Sequence, residues 1–369
     1  MVSYFPEVIN LPTYIFFFYT NIVSTSSLLF QPSAPPQNFP GCREIIRRAF
    51  CKKGIPECGI PTLLKSLSQS TLKQYNTVFK TWWQFCLTEK VDYLEAGIAE
   101  VITFLQKLYD TKPLSHSSFN MYRSAISLIL PGNIGQDQRI TRFIKGIARL
   151  RPAKRRYDFI WDPQVVLNLL DTWYPNEDLS LEKLTKKLTV LLALITAHRI
   201  QTLVLIKVEN IIISPSLIQI FIQDEVKTSL RHNNLQPCLK IPFFPEKPRI
   251  CLAAVLLEYL KVTSSFRTTG QEYLLLTTRK PYNTASTDSV SRWIRSTLAE
   301  AGVDTGIFSA YSTRHAATSA AFRNGIMLET IRKTAGWSQT SETFARFYNK
   351  PLKDYSVFAS SIYGTTKQN

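Results

Sequence analysis

Three basic residues in the C-terminal half of the chain stand where they could bind an anion. Arg199, in ITAHRIQTL, ends an apolar helical stretch, where a guanidinium must be paired with an acid or bind a ligand. Arg314, in YSTRHAATSAA, opens a helix of small residues, where a cation opposes the helix dipole unless an anion is bound. Lys227, in DEVKTSLRH, falls at a predicted hairpin tip, where a lysine is ordinarily only exposed. The alternative for Arg199 is a buried salt bridge, so the three residues indicate a site only when taken together.

The stretch TAGWSQTSETFARFYNKP adds two aromatic residues that could take part in chemistry. Trp337 follows a helix-ending glycine, and Tyr348 lies on a short predicted helix beside Phe344 and Phe347. Most tyrosines at such spacing are core residues. A phenol, whose ordinary pKa is about 10, becomes a useful nucleophile only where a cationic site lowers that pKa. The arginines upstream of Tyr348 could form such a site.

The elements that carry these residues predict a mainly helical domain with one small antiparallel sheet. A helix at about 183–197 precedes Arg199, and SLIQIFIQDEVKTSLRHNNLQPCLKIPF alternates as a hairpin or meander does. Gly325 and Gly336 are placed to end helices. Further helices are predicted at about 251–262, 287–301, 314–324, 327–335 and 341–348.

Residues 41–155 predict a separate helical bundle, preceded by a poorly structured leader at 1–40. In STLKQYNTVFKTWWQFC the apolar residues recur every three or four positions, which makes one helix face, with Ser70 or Thr71 as the predicted N-cap. Similar faces follow at about 101–108, 119–129 and 140–147. Pro152 breaks the last helix, which places the boundary at about residue 155, before a second domain over 161–369.

A basic run occupies the predicted linker at about 142–160. It has no acid before Asp158 and could be a solvated linker, a nuclear-import signal or a strand that clamps a phosphate backbone. Its members are Arg142, Lys145, Arg149, Arg151, Lys154, Arg155 and Arg156.

The composition favours a polyanionic partner. Lys and Arg outnumber Asp and Glu by 44 to 27, a net charge of +17, which suits nucleic acid first and an anionic membrane surface second. No apolar segment approaches the length of a membrane span, and no basic amphipathic helix with an open apolar face is found. The six cysteines form no CxxC pair and no zinc pattern, so they are expected to be reduced structural thiols without a metal.

In its order and spacing, the set of Arg, hairpin Lys, Arg, Trp and Tyr resembles the active site of the tyrosine recombinases, the phage-integrase family. The resemblance covers about residues 43–360. The AGW…FxxFYxKP spacing and the helical N-terminal domain look most like the integrases of DIRS-type retrotransposons and their Crypton relatives. It implies a helical core-binding (SAM-like) bundle over 41–155 and a mixed catalytic domain over 161–369.

The resemblance also implies a role for each residue of the set. Arg199 and Arg314 would clamp the scissile phosphate, and Lys227 would be the general acid toward the leaving 5′ oxygen. Trp337 would pack and hydrogen bond at that phosphate. Tyr348 would be the nucleophile that forms a 3′-phosphotyrosine. This chemistry conserves bond energy and requires neither ATP nor a cofactor or metal.

Two residues beside Arg314 complete the expected site. His315 often stands at this place in family members and is expected to be supportive. Tyr311 is a departure, because the family pattern has His three residues before the second arginine. A tyrosine can hydrogen bond to a phosphate but is a weaker proton shuttle at neutral pH.

The function implied is DNA strand cleavage and rejoining in the nucleus, by dimers or tetramers assembled on double-stranded DNA. The alternative is a DNA-binding protein derived from a mobile element that has lost catalysis, which Tyr311 and the leader favour. A DDE-type transposase or another metal nuclease would need clustered carboxylates for Mg²⁺, and the acids of 164–369 are scattered.

Overall fold

The chain divides between residues 154 and 155 into two compact units. The computed structural model describes residues 38–152, 156–226, 236–267, 270–338 and 340–352. Lys154, Arg155 and Lys227 lie outside these ranges, as does most of the predicted leader. The predicted fold class is confirmed, because the elements are mainly helical with one small antiparallel sheet.

The first unit is built from helices around an apolar core. Its longest helix begins after Ser68, whose hydroxyl accepts a hydrogen bond from the Thr71 amide at 3.1 Å, so the N-cap predicted at Ser70 or Thr71 is wrong. Three neighbouring Ser and Thr residues are all good caps by type, and only the backbone conformation selects one of them. The helices are α1 Cys42–Lys52, α2 Ile60–Lys65, α3 Gln69–Glu89, α4 Ile98–Thr111, α5 His116–Ile129 and α6 Gln138–Leu150.

Aromatic packing holds the centre of this unit together. The Trp82 ring meets Phe104 edge-on at 5.0 Å between centroids, and its indole nitrogen donates to the Tyr93 carbonyl at 3.0 Å. Helix α6 buries Ile140, Ile144 and Ile147 against this core and leaves its opposite face exposed. None of the described helices is long and apolar enough to span a membrane.

The second unit is also mainly helical. Its described strands form one sheet in the order β1 (Ile211–Ile213), β2 (Leu217–Phe221) and β3 (Cys238–Pro242). Both pairs are antiparallel, with Ile213 opposite Ile218 and Gln219 opposite Lys240. The short strand β1 was not predicted separately. The elements are α7 Pro163–Asp171, α8 Leu181–Thr196, α9 Ile200–Leu203, β1 Ile211–Ile213, β2 Leu217–Phe221, β3 Cys238–Pro242, α10 Leu252–Thr263, α11 Thr287–Glu300, α12 Ser312–Arg323, α13 Leu328–Thr334 and a π-helix at Phe344–Tyr348.

Helix α8 is the central helix of the second unit and is buried along most of its length. It packs against α10, α11 and α12. After Thr196 the chain turns at Ala197, which has a left-handed φ of 49°, and the His198 amide donates to the Thr196 hydroxyl at 3.3 Å. This turn takes His198 and Arg199 off the axis of the helix.

The last elements of the chain follow turns at glycines. Gly325 and Gly336 have φ of 80° and 63° just after α12 and α13, which confirms them as helix ends. The predicted helix at about 341–348 is wrong in extent and in kind. A π-helix spans only the last five residues, and the Asn349 amide donates to the Phe344 carbonyl at 2.9 Å. Single-turn π-helices are rare and often occur at functional sites.

Candidate active site

Tyr348 lies within a cluster of aromatic side chains and is only 4% exposed. The His315 ring stacks on it, with centroids 4.1 Å apart and planes inclined by 14°, and the Trp337 ring lies 4.7 Å away. Its hydroxyl shares a hydrogen bond with the hydroxyl of Tyr311. The structure therefore brings four of the predicted site residues into direct contact.

Arg314 hydrogen bonds to two turns of the chain beside this cluster, one at Ala197 and one at Ala335. Its Nη1 donates to the Ala197 carbonyl at 2.7 Å and its Nη2 to the Ala335 carbonyl at 2.8 Å. The guanidinium carbon lies 4.7 Å from the centre of the Trp337 ring and 5.6 Å from that of Tyr348. Arg314 thus joins the turn that carries Arg199 to the turn that carries Trp337.

Arg199 is the N-cap residue of α9 and is half-buried. Within the part of the chain that the structure describes, its side chain has no hydrogen-bond or ion-pair partner. Its charge lowers the pKa values of Arg314 and Tyr348, which places it within electrostatic reach of both. The buried salt bridge that could explain Arg199 is not formed among the described residues.

Among the residues that the structure describes, no acid compensates the positive charge of this cluster. Arg314 is 1% exposed, and burial, followed by repulsion from Arg199, lowers its pKa to about 10. It therefore remains charged at neutral pH. Neither arginine forms an ion pair with a carboxylate in the described ranges. Because an uncompensated buried charge is costly, this arrangement favours a bound anion.

Three buried polar atoms around Tyr348 also lack hydrogen-bond partners among the described residues. They are Nε of Arg314, Nδ1 of His315 and Nε1 of Trp337. Buried polar atoms are nearly always paired in folded proteins, so an unpaired group of this kind needs an explanation. A ligand with several oxygen atoms would provide the missing acceptors for the two N–H groups.

The phenol of Tyr348 is held in its neutral form. Burial raises its pKa above the ordinary value, the hydrogen bond with Tyr311 raises it further, and the charges of Arg314 and Arg199 oppose both effects. In this arrangement the desolvation of the phenolate outweighs its attraction to the two guanidiniums. Activation as a nucleophile therefore requires that a proton acceptor be available or that the burial be relieved.

Two histidines of the cluster are neutral at physiological pH. Burial, followed by the charge of Lys350, lowers the pKa of His315 to about 4. Burial, followed by the charges of Arg314 and Arg199, lowers the pKa of His198 to about 3. Neither ring can supply a proton as an imidazolium near neutral pH.

His198 was missed by reasoning from the sequence. It packs against Gly336, where an added Cβ would lie 3.0 Å from the His198 Cε1 atom. The only signal for it was its position directly before Arg199. A lone histidine at the end of an apolar helix gives no indication that it contacts the turn before Trp337.

The basic run separates into residues with different surroundings. Arg142, Lys145 and Arg149 are exposed on one face of α6. Arg151 is instead engaged within the first unit: it donates to the Tyr109 carbonyl at 2.6 Å and to the Lys112 carbonyl at 2.8 Å. Its guanidinium carbon also lies 3.9 Å from the centre of the Tyr109 ring.

Arg156, in the second unit, is exposed and donates to the Ser309 hydroxyl at 3.0 Å. Lys154 and Arg155, the remaining members of the run, lie outside the described residues. Lys227, the predicted general acid, lies outside them too. Over the described ranges, no group of three or more His, Cys, Asp or Glu residues is arranged to hold a metal ion.

The family model for the phage integrase family matches residues 162–354, which is more than half of the chain. The chain belongs to the phage integrase family. All the members of the cluster around Tyr348 fall within this matched region. Among curated proteins, none matches the sequence.

Solved structures support the family fold. One is the XerH site-specific recombinase bound to palindromic difH substrate in a post-cleavage complex, with a TM-score of 0.56 and 13% identity over 89% of this chain and 98% of that chain. Another is XerH bound to difH substrate in a pre-cleavage complex, with a TM-score of 0.51 and 11% identity over 88% of this chain and 85% of that chain. At these identities the likeness concerns the fold alone. For this member of the phage integrase family, residue roles depend on its own geometry.

Proposed function

We propose that this member of the phage integrase family cuts and rejoins double-stranded DNA through a covalent link to Tyr348. The phenol oxygen forms a bond to the scissile phosphorus, and the bond from phosphorus to the 5′ oxygen breaks. The nucleophile loses its proton and the leaving 5′ oxygen gains one. The 3′-phosphotyrosine then reacts with a 5′ hydroxyl in the reverse sense, so the reaction needs no external energy source and no metal.

The observation that carries the proposal is the positive charge around buried Tyr348, from Arg314 at 5.6 Å from its ring and from Arg199 within electrostatic reach. A phosphodiester undergoing attack develops charge on its nonbridging oxygens, and Arg199 and Arg314 can neutralise that charge. The unpaired N–H groups of Arg314 and Trp337 supply further donors at the same place. Lys227 remains the proposed general acid, by resemblance to the family.

The described site is closed, and DNA binding has to open it. Tyr348 is buried, and both terminal nitrogens of Arg314 are occupied by backbone carbonyls. A hydroxyl that is bonded to Tyr311 and covered by two rings cannot reach a phosphate of a duplex. The proposal therefore includes a movement of the Tyr348 side chain, and of the rings that cover it, when DNA is bound.

One test uses duplexes that carry a 5′-bridging phosphorothiolate, with a target selected from randomised duplexes by binding to the full chain. The thiolate leaves without a proton donor and does not return, so the covalent adduct accumulates. We expect a denaturant-resistant protein–DNA adduct that persists in EDTA and is absent in Tyr348→Phe. The control is Tyr174→Phe, which removes the hydroxyl of a 44% exposed tyrosine in the same unit and should leave the adduct unchanged.

A second candidate function is DNA binding without catalysis, which Tyr311 favours because it stands where the family pattern has histidine. Tight binding to the selected duplex with no adduct from either the phosphorothiolate or a nicked substrate would establish DNA binding without catalysis and exclude the first function.

A comparison of Lys227→Ala on phosphorothiolate and ordinary duplexes would separate loss of the general acid from loss of the nucleophile. Only the ordinary substrate should be affected.

The biological setting forms part of the same proposal. The AGW…FxxFYxKP spacing supports an origin in a DIRS-type or Crypton-like mobile element, and the basic run at 142–156 supports nuclear import. Cleavage of two duplexes requires more than one subunit, so we propose assembly as dimers and tetramers on DNA. Light scattering of the full chain with and without the selected duplex would measure that assembly.

A further inference from the structure

Ser319 hydrogen bonds to the backbone of Tyr348 and to the backbone of Lys350, on either side of Asn349. It lies on α12 and is 1% exposed. Its hydroxyl donates to the Tyr348 carbonyl and accepts a hydrogen bond from the Lys350 amide at 3.2 Å. One side chain therefore satisfies two backbone groups at the point where the π-helix ends.

Other contacts from α12 hold the same segment. Arg323, one turn after Ser319, donates to the Lys350 carbonyl at 3.2 Å. Phe322 packs on Phe344 at the start of the π-helix, with ring centroids 5.2 Å apart. Of these contacts, those made by Ser319 lie nearest to the nucleophile and are the most deeply buried.

The position of Ser319 on α12 links Tyr348 to Arg314. The two α12 residues are five positions apart on one helix, which corresponds to a rise of roughly 7.5 Å. A helix of this length is rigid, so the bond from Ser319 fixes the Tyr348 backbone relative to the Arg314 guanidinium. The π-helix is only five residues long and has no such rigidity of its own.

We infer that Ser319 is a positioning residue for the nucleophile, because it holds the backbone of Tyr348 in place relative to α12 and Arg314. The inference rests on the proposed function of Tyr348 and names a residue through which that function is achieved. Ser319 does not touch the reacting atoms. It acts by restricting where the Tyr348 hydroxyl can lie during attack, and misplacement of a reacting group by about 1 Å can lower a rate roughly 100-fold.

The first experiment compares Ser319→Ala with Ser319→Thr, which keeps the hydroxyl. The matched control is Thr318→Val, since Thr318 is a buried neighbour whose hydroxyl bonds within the same helix, to the Arg314 carbonyl at 2.8 Å. On the phosphorothiolate duplex, the single-turnover rate of Ser319→Ala should fall between roughly tenfold and 100-fold. Its affinity for DNA should stay within about twofold of the unmodified chain, because no phosphate contact is removed.

The pH profile distinguishes positioning from acid–base chemistry. At pH values below the titration of Tyr348, Ser319→Ala should lower the rate by one constant factor, and Ser319→Thr should restore most of it. Equal rates for Ser319→Ala and the unmodified chain would overturn the inference. An equal loss in Thr318→Val would also overturn it, because α12 would then tolerate no buried change of this kind.

A second measurement does not depend on cleavage. With 3-fluorotyrosine at position 348, the ¹⁹F signal reports the titration of the phenol in the full chain. Ser319→Ala should move that titration toward the value of free fluorotyrosine, whereas Thr318→Val should not. An unchanged titration in Ser319→Ala would overturn the inference even if the chain formed no adduct. Failure of the proposed function would instead appear as no adduct from the unmodified chain.

Discussion

At the scale of single residues, the proposed reaction depends on the hydrogen bond between the hydroxyls of Tyr311 and Tyr348. A neutral phenol such as that of Tyr311 has no basic atom comparable to an imidazole nitrogen, so it is a poor acceptor for the proton that the proposed nucleophile must lose. Burial and the same hydrogen bond raise the pKa of Tyr348. The arginines lower it, but not enough to offset the burial in the closed site.

The raised pKa gives a pH dependence with a definite sign. Below the pKa of Tyr348 the phenolate fraction grows tenfold per pH unit, so the single-turnover cleavage rate should rise steadily from pH 7 to pH 9. Tyr311→His places a neutral imidazole, which can accept a proton, beside the proposed nucleophile. We expect this variant to cleave about tenfold or more faster at pH 7, with a flatter profile above it.

Tyr311→Phe is the control for that prediction, because it removes the hydroxyl without adding a base. It should not reproduce the gain at pH 7. A Tyr311→His variant with the same rate and pH profile as the unmodified chain would show that proton removal from Tyr348 does not limit cleavage.

At the scale of elements, the site depends on how two turns pack against each other. Arg314 bonds to the carbonyl of Ala197 and to that of Ala335, and His198 lies against Gly336. These contacts connect the end of α8 with the end of α13. Position 336 requires glycine for two reasons, because its φ is left-handed and because a Cβ there would contact His198. Position 325 shares only the left-handed φ.

Gly336→Ala should therefore be more destabilising than Gly325→Ala. Both alanines would adopt a left-handed φ, which costs on the order of 1 kcal/mol in the free energy of unfolding. At Gly336 the new Cβ would also lie 3.0 Å from the His198 ring, whereas at Gly325 no atom lies within 4 Å. Urea unfolding of the full chain, followed by tryptophan fluorescence, should show the larger loss for Gly336→Ala.

A double variant isolates the contact between His198 and an added Cβ at position 336. In a His198→Ala background the added methyl group has space, so Gly336→Ala should then cost about as much as Gly325→Ala. If the two glycine variants already have the same effect in the unmodified chain, the packing of His198 on Gly336 is not a constraint.

At the scale of the whole molecule, a net charge of +17 favours DNA, and the exposed face of α6 is the part of the first unit proposed to contact it. Arg142, Lys145 and Arg149 lie on that face, opposite the buried isoleucines. Arg139 lies nearby but is paired with Asp137 at 2.9 Å. A free cation that contacts a phosphate releases a counterion from DNA, whereas a paired one contributes less.

Replacing all three free cations of α6 with alanine should weaken DNA binding and reduce its salt dependence. If each contacts one phosphate, the slope of log affinity against log salt concentration should fall by about 0.9 per residue. Arg139→Ala should change the slope little. Fluorescence anisotropy of the labelled duplex at several salt concentrations measures both, and an unchanged slope in the triple variant would place the phosphate contacts elsewhere.

Helix faces and helix-ending glycines are predicted from the sequence, whereas some boundaries and short elements are not. The apolar faces of α3 and α8 could be predicted because helix periodicity is a local property of the sequence. The glycines that end α12 and α13 could be predicted because only glycine readily adopts their left-handed backbone conformation. The sequence did not predict the N-cap at Ser68, the strand β1 or the π-helix. Boundaries depend on small differences between similar residues, and a periodic pattern cannot distinguish a π-helix from an α-helix.

The sequence by itself determined the mainly helical fold with its small sheet, and the types and order of Arg199, Arg314, Trp337 and Tyr348. Only the tertiary structure decided how those residues meet. The bonds from Tyr311 to Tyr348, from Ser319 to Tyr348 and from Arg314 to Ala197 join positions 37, 29 and 117 residues apart. Contacts over such separations depend on how helices pack against each other. Residue type and local spacing do not predict that packing.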